Sequence, residues 1–296
     1  MHADEIPIDD ALARRLADAQ FPEWASLPLS RAPSDGTDNI MFRLGDRLAL
    51  RMPRRPSAAA GIEKELQWLP RLAPSLPLPI PAPVAAGRPS PDFPWPWSIC
   101  RWIDGARPDE QTAATDMVFA SDLAEFVAAL HTLDAAGGPA PGAHNAFRGC
   151  PLADRDGATR RAIASLRDKD GDAAQLLALW EAALSAPVWT RPPVWIHGDL
   201  YAPNLLQRGG RLCGVLDFGC LGVGDPACDL AAAWTLLGRQ NRSAFRDRLR
   251  VDDAAWSRGL GWALSIAVIQ LPYYRDTNPT LADAARRTIR EVLAGH

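Results

Sequence analysis

The stretch from Val194 to Gly219 leaves this chain little freedom. Three short apolar runs, Val194–Ile196, Leu205–Leu206 and Leu212–Leu216, are separated by a polar loop and by Gly209-Gly210. Short apolar runs bounded by turn signals read as strands, and a Gly pair between two of them reads as a hairpin turn. The loop carries His197, Gly198 and Asp199 directly after the first strand, and Asn204 follows five residues beyond Asp199. The third strand ends in Asp217, Phe218 and Gly219. A hairpin between Leu205 and Leu216 would bring Asn204 and Asp217 to the same edge, and their oxygens suit a hard cation such as Mg2+. Alone, Asp199 could cap a turn and Asn204 could satisfy a loop. The order and separation of all three argue against three separate accidents.

The rest of the composition narrows the class. With 296 residues, two units with separate cores are a better expectation than one. A net charge of −3 gives no reason to expect nucleic acid or an anionic membrane as partner. The five cysteines, Cys100, Cys150, Cys213, Cys220 and Cys228, are scattered without a C-x-x-C pair or a metal-ligand spacing, which points to a reduced, cytoplasmic protein. The acidic N-terminus lacks the pattern of a signal peptide. Gly261–Pro272 is shorter than the roughly 20 apolar residues of a membrane span.

Along the chain, Ile8, Leu12 and Leu16 recur at helical spacing and predict an amphipathic helix ending before Pro22. Ile40, Phe42 and Leu44, then Leu48, Leu50 and Met52, alternate on either side of Gly45-Asp46 and predict a β-hairpin. Arg51 falls on the face opposite Leu50 and Met52. Ile62, Leu66 and Leu69 mark a helix over 61–69 that Pro70 interrupts, and Trp97–Ile103 reads as a buried strand. After Asp104-Gly105 the chain turns helical. Asp225 before Pro226 predicts a capped helix start, and further helices are expected over 252–270 and 280–293.

With Asp199, Asn204 and Asp217 in this order, and Gly198 directly after His197, the chain resembles the aminoglycoside phosphotransferase-type kinases, small-molecule relatives of the protein kinases. The run Arg51, Met52, Pro53, Arg54, Arg55 resembles the macrolide phosphotransferase branch. The resemblance implies an α+β, protein-kinase-like fold of two lobes: a β-rich N-terminal lobe over 1–103 that binds nucleotide, and a mainly helical lobe over 104–296 that carries catalysis and the acceptor. It implies Mg2+-dependent transfer of the γ-phosphate of ATP or GTP to a hydroxyl of a small molecule, an aminoglycoside, a macrolide or a metabolite alcohol. Asp199 would be the catalytic base, and Asn204 and Asp217 the metal ligands. Ser34 and Gly36 would lie in the loop over the phosphates, although this segment also reads as an ordinary polar turn. Arg51 would replace the usual Lys at the α- and β-phosphates, or else lie at the surface. Glu65, with Glu63 in reserve, would hold that cation or lie solvated beside Lys64. Asp229 would bond back to the catalytic loop, His197 would bond backbone near the metal loop, and Asn145 and Arg148 are candidate acceptor contacts.

Two further expectations concern the acceptor and the activity itself. The C-terminal acids Asp252, Asp253, Asp276, Asp283 and Glu291 are matched by Arg258, Arg275, Arg286, Arg287 and Arg290, so no acidic excess awaits a polycation. The alternative to an enzyme is a catalytically silent nucleotide-binding module, favoured only by Arg51. A protein kinase is disfavoured, because Asp225-Pro226 follows Gly219 too closely for an activation loop.

Overall fold

The computed structural model describes residues 6–32, 38–167 and 170–295. The chain forms two compact units, one of residues 1–105 and 213–219, the other of residues 106–212 and 220–296. Ser34 and Gly36 lie outside the described residues.

The first unit is built on a five-stranded antiparallel sheet. Its strands are β1 (Leu29–Arg31), β2 (Asn39–Leu44), β3 (Leu48–Pro53), β4 (Pro83–Gly87) and β5 (Trp97–Arg101), in the order β1-β2-β3-β5-β4. The register sets Leu50 between Phe42 and Ile99, and Arg51 between Met41 and Ser98. Because side chains alternate across a strand, these two triplets face opposite ways. Leu50, Phe42 and Ile99 join Trp97 and Phe93 in a core closed by Leu12 and Leu16 of helix α1 (Asp10–Gln20). Asp9 caps α1 through the Leu12 amide. Helix α2 (Pro56–Leu72) packs on strands of the same sheet. It starts on Pro56, where the missing N–H costs nothing. It also carries Pro70 inside its last turn, giving up one hydrogen bond instead of stopping there as the sequence suggests. The expected 97–103 strand is shorter, ending at Arg101.

The second unit is mainly helical. Helix α3 (Glu110–Thr115) and helix α4 (Met117–Thr132), started on Asp116, are followed by α5 (Asp156–Ala164) and α6 (Ala173–Ser185). Strand β6 (Val194–Ile196) enters the loop that carries Asp199, and β7 (Leu205–Arg208) leaves it. Strand β8 (Arg211–Val215) then carries the chain back into the first unit, with Gly209 and Gly210 at positive φ in the turn before it. β6 pairs antiparallel with β9 (Gly222–Gly224), a strand with no signal in the sequence beyond its small residues. Asp122 of α4 anchors the start of β8, taking Arg211 through both carboxylate oxygens at 2.8 and 2.7 Å and the Leu212 amide at 3.1 Å.

The remaining helices are α7 (Ala227–Leu230), α8 (Ala232–Thr235), α9 (Arg239–Leu249), α10 (Asp253–Tyr274) and α11 (Pro279–Ala294). Asp225 caps the Ala227 amide as its place before Pro226 suggests, and it also binds Arg258 of α10 at 2.7 Å. Asp252 and Asn278 cap α10 and α11. Among the described residues no helix is long and apolar enough to cross a membrane, and no cysteines pair as a disulfide.

One buried carboxylate binds the C-terminal helices to the segment before α6. Asp170 accepts from Arg275 at 2.9 Å, from Arg286 at 3.1 Å and from the Arg167 amide at 3.3 Å. Burial works against its charge, but these donors outweigh burial and hold the Asp170 carboxyl below the ordinary carboxylate range. A depressed carboxylate stabilises the fold above its unfolded value of about 3.9, and that contribution disappears as pH falls through the lower folded value. Asp170→Asn is therefore expected to lower the unfolding free energy at pH 7 by roughly 2–3 kcal/mol. The gap between variant and parent should shrink toward pH 3 in urea titrations at the two pH values, and an equal gap at both would contradict the assignment.

Candidate active site

In the first unit, charged and polar side chains from distant segments converge on Arg51. The side chain is only 8% exposed. Its Nη1 lies 2.9 Å from Glu65 Oε2, and its Nη2 lies 3.3 Å from Asp217 Oδ1. With the Asn39 amide oxygen turned toward it, Asn39 accepts from Nη2 and Nε at 3.1 and 3.2 Å. Alternation on β3 aims Arg51 away from the α1 core, and the α2 periodicity brings Glu65 onto the buried face while Glu63 stays exposed. Burial opposes a charged guanidinium, but Glu65 and Asp217 prevail and hold Arg51 above its ordinary value. Burial likewise lifts the Glu65 carboxyl to about 7 against the pull of Arg51.

Asp217 sits at a φ of 57°, a left-handed conformation that a non-glycine residue adopts only where its surroundings impose it. Three bonds account for that here. Arg51 holds Oδ1, the Gly219 amide donates to the same oxygen at 3.2 Å, and the Val215 amide fixes the approach by donating to the Pro79 carbonyl at 3.0 Å. Lys64, which the sequence left as a surface neighbour of Glu65, is buried and donates to the Gly219 carbonyl at 2.6 Å. The end of this loop is thus held from α2 by a residue with no visible motif.

In the second unit, the loop after β6 is organised by Asp229 of α7. Its Oδ2 accepts from the His197 amide at 3.0 Å and its Oδ1 from the Gly198 amide at 2.7 Å. His131, near the end of α4, approaches Oδ2 at 3.2 Å. The Asp229 side chain is wholly buried, and burial pushes its carboxyl up. The bonds from His131 and the loop overcome this and keep it below the ordinary range. His131 carried no assignable role in the sequence, since a lone histidine at a helix end has no partner until the fold supplies one. The His197 Nδ1 accepts from the Asp199 amide at 3.2 Å, so this imidazole braces the loop from within.

Gly198 explains itself in the same place. Its φ is +77°, and a Cβ there would lie 2.9 Å from the Cys220 carbonyl oxygen and 3.0 Å from the Arg148 Cβ. The volume a side chain would need is occupied by Arg148, whose guanidinium Nη2 lies 3.9 Å from Asp199 Oδ1. Arg148 is buried, and so is Asn145: its Nδ2 donates to the Arg148 carbonyl and its Oδ1 accepts from the Gly142 amide. Asn204 donates through Nδ2 to the Asp199 carbonyl at 3.0 Å and to its Oδ2 at 3.1 Å. With its amide nitrogen turned to Asp199, Asn204 presents oxygen as its remaining ligand atom, which fits a hard cation, as does the Asp217 carboxylate.

Asp199 also lines a cavity of about 280 Å³ within the second unit. The cavity runs past Leu200, Ala202 and Pro203 to Ile266 of α10 and to Leu281 and Ala284 of α11. Nothing in the sequence brackets these segments together, because they are far apart in the chain and meet only through helix packing.

Residues 30–262 match the phosphotransferase enzyme family, APH. Among solved structures the fold is similar to the GDP complex of wild-type aminoglycoside 2'-phosphotransferase-IIIa, at 21% identity and a TM-score of 0.75, covering 97% of this chain and 99% of that one. It is also similar to macrolide 2'-phosphotransferase MphH from Brachybacterium faecium, at 22% identity and a TM-score of 0.62, covering 93% and 98%. A third neighbour is a macrolide 2'-phosphotransferase type I, at 22% identity and a TM-score of 0.65, covering 96% and 98%. The fold is the kinase-like fold of these enzymes. The chain belongs to the phosphotransferase enzyme family.

Proposed function

We propose that the protein transfers the γ-phosphate of ATP or GTP to a hydroxyl of a small molecule, with Asp199 as the base and with Asn204 and Asp217 as ligands of Mg2+. The observation that carries this reading is the environment of Asp199. It is an aspartate lining a partly open cavity, held by Asn204 and approached by Arg148, on a loop fixed by Asp229. Its side chain remains a quarter exposed, so an acceptor can reach it.

Phosphoryl transfer asks a protein mainly for alignment and for compensation of charge. Asp199 accepts a hydrogen bond from the acceptor hydroxyl, orients its oxygen and receives its proton. Arg51 supplies a permanent cation for the α- and β-phosphates. Its Nη1 stays with Glu65 while phosphate would take over donors that Asp217 and Asn39 hold here, a division of labour that a compact ammonium would perform differently. Lys64 and Arg51 keep the Asp217 loop in the conformation that presents its carboxylate. Magnesium bound with the nucleotide would neutralise phosphate charge, and Asn204 and Asp217 are the oxygen ligands this chain offers to it. The aminoglycoside and macrolide enzymes similar in fold define one range of acceptors, and metabolite alcohols another. A silent nucleotide-binding module has only the Arg51 replacement in its favour, and Arg51 retains the acidic partner such a cation needs.

Asp199→Asn is expected to lower kcat by about 10^2–10^4-fold while nucleotide affinity stays within about three-fold, as steady-state rates and equilibrium binding would reveal. Rates near those of the parent would remove Asp199 from the chemistry. Chelation with EDTA should stop turnover, and added Mg2+ should restore it. Arg51→Met leaves Glu65 buried without its cation and should cost roughly 3 kcal/mol of stability along with weaker nucleotide binding. Arg51→Met combined with Glu65→Gln should recover part of the stability but none of the binding, a pattern read from a double-mutant cycle.

A further inference from the structure

The charges and walls of the cavity beside Asp199 constrain its occupant, an inference that rests on the reading of Asp199 as the base. Three carboxylates line it, Glu110, Asp199 and Asp229, together with Arg107 and Arg287. Each carboxylate already faces a donor or a cation. Asp229 is saturated by two loop amides and His131. Glu110 lies 3.9 Å from Arg287 Nη1, and Asp199 lies 3.9 Å from Arg148. Arg287 in turn gives Nη2 to the carbonyls of Thr235 and Leu236 at 3.1 and 2.8 Å. With Arg107 and Arg287 in the lining and Arg148 behind Asp199, the three carboxylates leave at most one surplus negative charge in the lining, too little to replace the hydration of several ammonium groups. Its walls are hydrocarbon from Leu200, Ala202, Pro203, Ile266, Leu281 and Ala284, and its other polar groups are neutral: Tyr201, Thr235, Gln270, Thr280 and Thr288.

We propose that the acceptor is a neutral alcohol with a mainly hydrocarbon body, which packs against α10 and α11 and presents one hydroxyl to Asp199, and not a polycationic sugar. The alcohol oxygen forms the new bond to the γ-phosphorus as the bond from that phosphorus to the β–γ bridging oxygen breaks. The electron pair leaves with the nucleoside diphosphate and the hydroxyl proton passes to Asp199. The products are a neutral-bodied phosphate monoester and the diphosphate.

The test uses the full chain with MgATP and MgGTP, and tracks diphosphate release and phosphorylated product for menthol, geraniol and cyclohexanol against kanamycin. The expected result is a kcat/KM for at least one neutral alcohol about ten-fold or more above that for kanamycin. Ala284→Trp, which adds bulk at an exposed position of α11 bordering the cavity, should raise the KM for that alcohol by about five-fold or more. Kanamycin used as well as or better than every neutral alcohol overturns the proposal, as does a KM unmoved by Ala284→Trp. If no neutral alcohol is phosphorylated while slow, Asp199-dependent hydrolysis of the nucleotide by water persists, the acceptor class is wrong and the phosphotransferase reading stands. If neither hydrolysis nor transfer to any acceptor occurs, that reading falls first, and the acceptor class with it.

Discussion

The loop that carries Asp199 stands on one buried carboxylate. An aspartate removed from water is costly unless its oxygens are filled, and Asp229 is filled by two consecutive loop amides and by His131. The dependence is reciprocal. The amides of His197 and Gly198 would otherwise be unsatisfied polar groups in the interior, and their pairing with Asp229 dictates the backbone path that only a residue without Cβ can take at Gly198. Everything downstream inherits that path: the brace from His197 to the Asp199 amide, the Asn204 amide turned to Asp199, and the packing of Arg148 into the space Gly198 leaves.

The first unit solves a parallel problem with a buried cation. Arg51 would be untenable on the inner face of a sheet without compensation, and Glu65, Asp217 and Asn39 surround it. The same contacts impose the left-handed backbone at Asp217. Structural and functional demands would coincide here under the proposed function, because the charge that makes the site difficult to bury is also the charge that the proposed phosphate contact requires. An Arg in this position has a further consequence. Its planar fork holds more than one partner at once, so the departure from lysine does not leave Glu65 alone.

Much of this was legible in the residues themselves. The alternation of Ile40 to Met52 gave the hairpin and the face on which Arg51 lies, whereas the choice of Glu65 over Glu63 stayed open until the structure buried the first and exposed the second. Asp225 before Pro226 announced a helix start through cap chemistry that acts over only a few residues. Less visible was Lys64, because one charged residue beside another on a helix looks solvated until a carbonyl from a distant loop meets it. His131 escaped for the same reason.

By itself, then, the sequence determined what is local: the strands and helices, their caps, and the order of Asp199, Asn204 and Asp217 along strand, loop and strand. Those features arise from hydrogen bonds and side-chain directions that repeat every two or 3.6 residues, so pattern alone carries them. Tertiary structure alone decided which distant groups complete each charge, and what shape stands beside Asp199. The cavity walls come from the Asp199 loop, α10 and α11, and whether their charges cancel or accumulate depends on contacts such as Arg287 with Glu110 and with the Thr235 and Leu236 carbonyls. Such pairings obey distance in space, which no periodicity in the chain records.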